Sequence, residues 1–294
     1  MRVSTSGTIR FSVTLSLKTD AAAVVENESG RGEIRAKQFI DASGSSVLAR
    51  RAGVPCLDGD NFYSLWALEY RKGAHAGHRM DELGESVVMH FDGAWANGDS
   101  AVSEERLAKC GFTRESLKEK TVRHPSGKDV SDYILATRHF LLEYYRDLHA
   151  SSQFDRRSCY ALKLPAMPQF RKISCIQGEY VLKDNEHATR FEDSIGLLAD
   201  WRKPGFVWEI PYRTLYPANR LGGLLAAGRC TSATGDAWEI TRVIPSAAMT
   251  GQVAGLAAAL AIDEGREPGD LSVPLLQQKL RELGFALHLP DVGL

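Results

Sequence analysis

The chain has 294 residues, enough for one large domain or two of medium size around a buried core. Its 44% hydrophobic and 25% charged residues are those of an ordinary soluble globular protein, and a net charge of −1 excludes the electrostatic footprint of a nucleic-acid or anionic-membrane binder. Five scattered cysteines without a CxxC pair exclude a disulfide framework, and the sequence reads as having neither a signal peptide nor a membrane-spanning apolar run, so a cytoplasmic setting is expected.

Ile9, Phe11, Val13, Leu15 and Leu17 alternate with polar residues, the period of a half-buried strand. A second strand, 21–26, ends in the turn-forming run 27–32, and a third is expected over 33–40. Short turns between them predict an antiparallel meander. Phe39-Ile40-Asp41-Ala42-Ser43-Gly44 then ends apolar and runs into small residues, and a helix is expected over 46–52, closed by Gly53 and Pro55. Small residues at a strand's end suit either a tight turn or the close approach of a ligand.

Residues 56–168 read as a separate layer. Strands are expected over 64–70 and 86–91, a short helix over 103–110 and a longer one over 131–149. Ile134, Thr137, Leu141, Tyr144, Tyr145 and Leu148 fall near one face of the long helix, as core. An extended stretch over 161–168 leads to strands over 170–176 and 179–182, and 206–211 is another apolar segment, rich in large rings. Residues 221–227 form an apolar run without alternation, a buried strand. A polar loop follows, and Pro245 opens a helix ending near Gly265. Ser272 is a candidate N-cap, with Pro274 just inside a last helix that Gly284 closes.

The order strand, glycine turn, helix N-terminus over 224–262 is one in which backbone N–H groups face an anion or a polarised carbonyl. Ala247, Gly251, Ala254, Gly255 and Ala258 suggest that a sheet backbone or a flat ligand packs closely on this helix. Arg229 and Arg242 could serve as two cations at an anion site or lie at the surface. His75 and His78 have a metal-ligand spacing without a third ligand, so no metal site is expected. Cys230 reads as packing or as a nucleophile, and no G-x-S-x-G elbow supports a hydrolase.

Phe39–Gly44 with Val47–Pro55 resembles the second FAD-contact motif of FAD-dependent oxidoreductases with the glutathione-reductase-like flavin fold, distant relatives of the fumarate reductase flavoproteins. The resemblance resumes at Phe170–Ile173, Gly178–Leu182 and Ile210–Arg213, and is strongest over Leu225–Cys230 and Arg242–Pro245 with the following helix. It implies an α/β fold with α+β character, made of an incomplete FAD-binding domain (1–55 and 221–270), a β-rich substrate domain (56–220) and a C-terminal helix and tail (271–294). It implies FAD contacts from Asp41, Ser43, Gly44, Gly228, Arg229, Arg242, Val243, Ile244, Pro245 and Ser246. Arg213, Arg242 and Tyr212, with Trp208, would face a small-molecule substrate that exchanges hydride with the flavin. Glu209, Asp236 and Glu239 are the carboxylates considered for a general base. The family starts with a glycine-rich βαβ unit, and this sequence contains no G-x-G-x-x-G. The fold is therefore expected to be a truncated Rossmann-like one: the C-terminal part of a longer protein with a preceding segment, the product of a misplaced start, or a degenerate paralogue. A homo-oligomer is the other partner considered, and a flavin-free binding or scaffold protein is the alternative function.

Overall fold

The N-terminal alternation does form an antiparallel meander: β1 (Ser12–Thr14) pairs with β2 (Ala22–Asn27), which pairs with β3 (Gly30–Arg35). The turn between β2 and β3 is held by the Ser29 N–H donating to Asn27 Oδ1 at 2.9 Å, and Gly30 takes φ 102° there. This computed structural model describes residues 12–14, 22–59, 61, 65–72, 87–92, 104–109, 113, 126–152, 154–165, 170–219 and 221–294. His75 and His78 lie outside them.

The strand expected over 33–40 is two strands in different sheets. After β3 the chain breaks, and β4 (Phe39–Asp41) pairs in parallel with β12 (Leu224–Ala226), with Phe39 opposite Leu224 and Asp41 opposite Ala226. Alternate residues of β12 and the residue after it enter two cores. Leu225 and Ala227 join Val253, Ala254 and Ala257 of the Ile244–Asp263 helix. Leu224 and Ala226 join Ala49 and Val54, around the Val47–Arg51 helix. Burial on both faces is why the run shows no alternation.

The chain divides into two compact units, Met1–Gly59 with Ser174–Leu294, and Asp60–Ile173. The sequence reading set the boundaries at 55/56 and 220/221. Residues 174–220 instead belong to the first unit, as does the C-terminal tail. The first unit adds two antiparallel pairs: β5 (Cys56–Asp58) with β9 (Ser174–Ile176), and β10 (Ser194–Ala199) with β11 (Val207–Pro211). Residues 179–182 make only an isolated bridge, Leu182 to Ala233, rather than a strand.

The Ile244–Asp263 helix meets the length and composition of a membrane span, against the expectation from sequence. Ser246, Thr250, Val253, Ala254, Ala257, Ala258 and Ala261 are nevertheless buried within the protein. Its glycines do not mediate close packing, since a Cβ at Gly251 or Gly255 would meet nothing within 4 Å. The close approaches are made by glycines of its neighbours. A Cβ at Gly196 of β10 would lie 2.5 Å from Met249 Sδ, and one at Gly228 would lie 3.3 Å from Ala247 Cβ.

The second unit contains the antiparallel sheet β7-β6-β8, built from β6 (Leu65–Arg71), β7 (Val87–Asp92) and β8 (Cys159–Lys163). Among the described residues its helices are Glu104–Lys109 and Gly127–Ala150. The long helix starts earlier than expected because Ser126 and Asp129 form a reciprocal capping box. Tyr133, Thr137, Phe140 and Leu141 are its buried residues. Tyr144 is bound to Arg71 Nη2 at 2.6 Å, and Arg71 Nε donates to the buried Glu69 at 2.8 Å.

Candidate functional site

The parallel pairing of β4 with β12 sets two loops side by side. One follows Asp41 and the other follows Ala227, whose N–H donates to Asp41 O at 3.0 Å. Gly44 takes φ 77°, and a Cβ there would lie 2.5 Å from Arg229 Nη2, so the Arg229 guanidinium lies over the bare backbone of Gly44. Gly228 takes φ 62°, and its N–H donates to Thr250 Oγ1 at 2.8 Å. Thr250 Oγ1 in turn donates to Ser246 O at 2.7 Å, one helical turn back. Thr250 was not read from the sequence as part of this site; its only signal is its i+4 spacing from Ser246.

At the start of this helix Val243 is extended, Ile244 and Pro245 are exposed, and Ser246 is fully buried. The Ser246 hydroxyl has no hydrogen-bond partner. Arg242 Nε donates to Glu239 Oε2 at 2.7 Å, within an ion pair whose side chains are largely buried.

Other predicted residues are committed elsewhere. Asp41 is 1% exposed and does not face the open side of its loop. Its oxygens accept the Ser43 N–H at 3.0 Å and the Ala49 N–H at 2.8 Å. Ser43 Oγ accepts the Val47 N–H at 2.9 Å, starting the helix. Tyr212 lies in the core with its hydroxyl donating to Pro268 O at 2.8 Å, and burial pushes that phenol well above its usual range. Trp208 is likewise buried. Arg213 forks onto Asp193 at 2.9 and 3.1 Å and sits 4.9 Å over the Tyr180 ring, and the Asp193 bond holds its pKa up.

The considered bases are also engaged. Glu209 is fully buried, accepting the Phe191 N–H at 2.8 Å, the Leu289 N–H at 3.1 Å and His288 Nδ1 at 3.0 Å. Asp236 pairs with Arg202 and Lys203, which lower its pKa. It stands on the Gly235–Thr241 helix, inside the stretch expected to be a loop. The bare face of Gly235 is covered by the Asp184 carboxylate, which accepts the Asp236 N–H. Cys230 is fully buried, and burial followed by the nearby Asp41 charge raises its pKa, so it is a thiol rather than a nucleophilic thiolate. A separate pocket of about 340 Å³ lies by the start of β12, lined by Tyr216, Leu224 and Glu267 among others.

A family model described as FAD dependent oxidoreductase matches residues 7–280 of the 294. The chain belongs to that family. Searches of curated proteins and of solved structures returned no match. The family's cofactor is FAD, and two features of this site bear on how it would be held. A buried hydroxyl without a partner stands at a helix N-terminus, and a glycine cradle lies under an arginine. No G-x-G-x-x-G occurs in the sequence.

Proposed function

We propose that this chain is an FAD-dependent oxidoreductase that transfers hydride between a small organic substrate and flavin, with the glutathione-reductase-like fold of the fumarate reductase flavoproteins. The parallel β4–β12 pair carries this reading, because it joins Asp41–Gly44 to Gly228–Arg229 although they are remote in sequence. Bound FAD would supply hydride exchange with a small organic substrate. Arg229 and the Gly44 and Gly228 backbones would hold the phosphates, and Val243, Ile244, Pro245 and Ser246 would present the helix N-terminus to the flavin carbonyl edge. A helix dipole at that place favours negative charge. Ser43 and Asp41 act through the loop they shape. Arg242 and Arg213 are the proposed substrate-facing cations, and Tyr212 supports the Arg213 backbone from within the core.

A flavin-free binding protein is the second reading. The Arg229 guanidinium over Gly44 favours it, since the cradle is filled by the protein's own side chain. Purified protein is expected to carry the visible absorption bands of flavin, or to quench FAD fluorescence when FAD is added. Colourless protein that leaves FAD fluorescence unchanged would overturn the first reading in favour of the second.

A further inference from the structure

Two loops remote in sequence meet at the β4–β12 pair, and one thiol touches the first loop at three points. Cys230 Sγ accepts the Ser46 N–H at 3.2 Å, lies 3.7 Å from Asp41 Oδ1 as a donor, and is 3.9 Å from Ser43 Oγ. Cys230 and Asp41 are 189 positions apart, and both are buried. Ser46 takes φ 51° and ψ 39°, a left-handed conformation that a non-glycine residue holds only when its surroundings impose it. Its N–H donates to the sulfur, and its Oγ donates to Ser174 O at 3.3 Å. Asp41 completes the bracket by accepting the Ser43 and Ala49 amides. Gly44, the bare cradle under Arg229, lies between these fixed points.

We propose that Cys230 is a positioning residue for the cofactor: its thiol, bridging the Ser46 amide and the Asp41 carboxylate, fixes the Asp41–Ser46 loop in the shape that receives the phosphates. This rests on the FAD reading above and adds a residue that acts on affinity without touching the ligand. Cys175 provides the packing control. It is just as buried in the same unit, and its sulfur bonds to Ala233 O at 3.4 Å rather than to a group of the loop.

The test is amide hydrogen exchange at Ser46 and Ala49, normalised to the Val253 amide of the core helix, together with FAD affinity by fluorescence quenching. In Cys230→Ala, both loop amides exchange at least tenfold faster relative to Val253, and the FAD Kd rises about tenfold or more. Cys230→Ser, which keeps a polar hydrogen, stays within about threefold of the parent on both readouts. Cys175→Ala changes neither. If Cys230→Ala does not fold, Cys230→Val fills the space without a polar atom and is read in the same way. Unchanged loop exchange, an equal effect in the Cys175 variant, or faster exchange with unchanged FAD affinity each overturns the proposal. If the parent protein binds no FAD, the cofactor reading falls, and the exchange measurement alone decides whether the thiol brackets the loop.

Discussion

Gly178 and Gly44 are restricted for different reasons, and their alanine variants should separate the two. A Cβ at Gly178 would lie 2.8 Å from Ser232 Cβ and 3.0 Å from the carbonyls of Arg213 and Tyr180. Backbone cannot yield as a side chain can, so Gly178→Ala should cost about 1–3 kcal/mol in denaturant unfolding. At Gly44 the obstructing atoms are the movable end of Arg229, and the cost is the positive φ, about 1–2 kcal/mol. There the larger effect should be on FAD affinity. Cys230 supplies a pH prediction. Its pKa is raised by burial and then by Asp41, so the stability it contributes is present below the ordinary thiol range and is lost as pH rises through the raised value. Alkaline melting curves should therefore fall more steeply in the parent protein than in Cys230→Ser. A fall of equal steepness in both would show that other groups carry it. At this scale the sequence named Gly44, Gly228 and Arg229, which the structure sets side by side at the ends of β4 and β12. It did not reveal that Asp41 and Tyr212 point inward, because a residue's type does not state which neighbour takes its polar atoms.

Elements with chemical punctuation were the ones read correctly. Ser272 caps the Val273–Glu282 helix by accepting the Leu275 N–H at 3.4 Å, as its placement before Pro274 predicted. Ser272→Ala should cost about 0.5–2 kcal/mol by thermal or chemical unfolding. β10 was missed because a register shift between Ser194 and Leu197, with Gly196 inside it, breaks the alternation that marks a strand. The Gly235–Thr241 helix was missed because it is too short to show a period. The tail is held by a buried carboxylate that no pattern announces. Glu209→Ala would strand His288 Nδ1 and the Phe191 and Leu289 amides, and should cost about 3–5 kcal/mol, with loss of amide protection at Leu289.

For the whole molecule, the parallel β4–β12 pair sets the 39–55 motif beside the 225–230 motif, both within the region that the family model matches. The unit boundary was not legible. Residues 174–220 have short strands, yet Leu182, Trp208, Ile210 and Leu215 share one core cluster with Leu225, Ala227 and the Ile244–Asp263 helix. Composition does not change at 173/174, so only tertiary contacts mark it.

The β5–β9 pair carries a consequence for how such a chain can be altered. Asp58 and Ser174 stand directly opposite each other in antiparallel register, and the whole of Asp60–Ile173 runs between them. The second unit thus leaves and re-enters through the two legs of one interrupted hairpin. Excising 59–173 and joining Asp58 to Ser174 through Asn-Gly restores a two-residue turn of the kind that antiparallel legs favour. The shortened chain should unfold cooperatively and keep the Ser46 amide protected, whereas a chain cut at the same place but left unjoined should not. In genetic terms this hairpin is a socket: what is plugged into it can be exchanged by recombination at two adjacent points, while the loops at the ends of β4 and β12 are inherited unchanged.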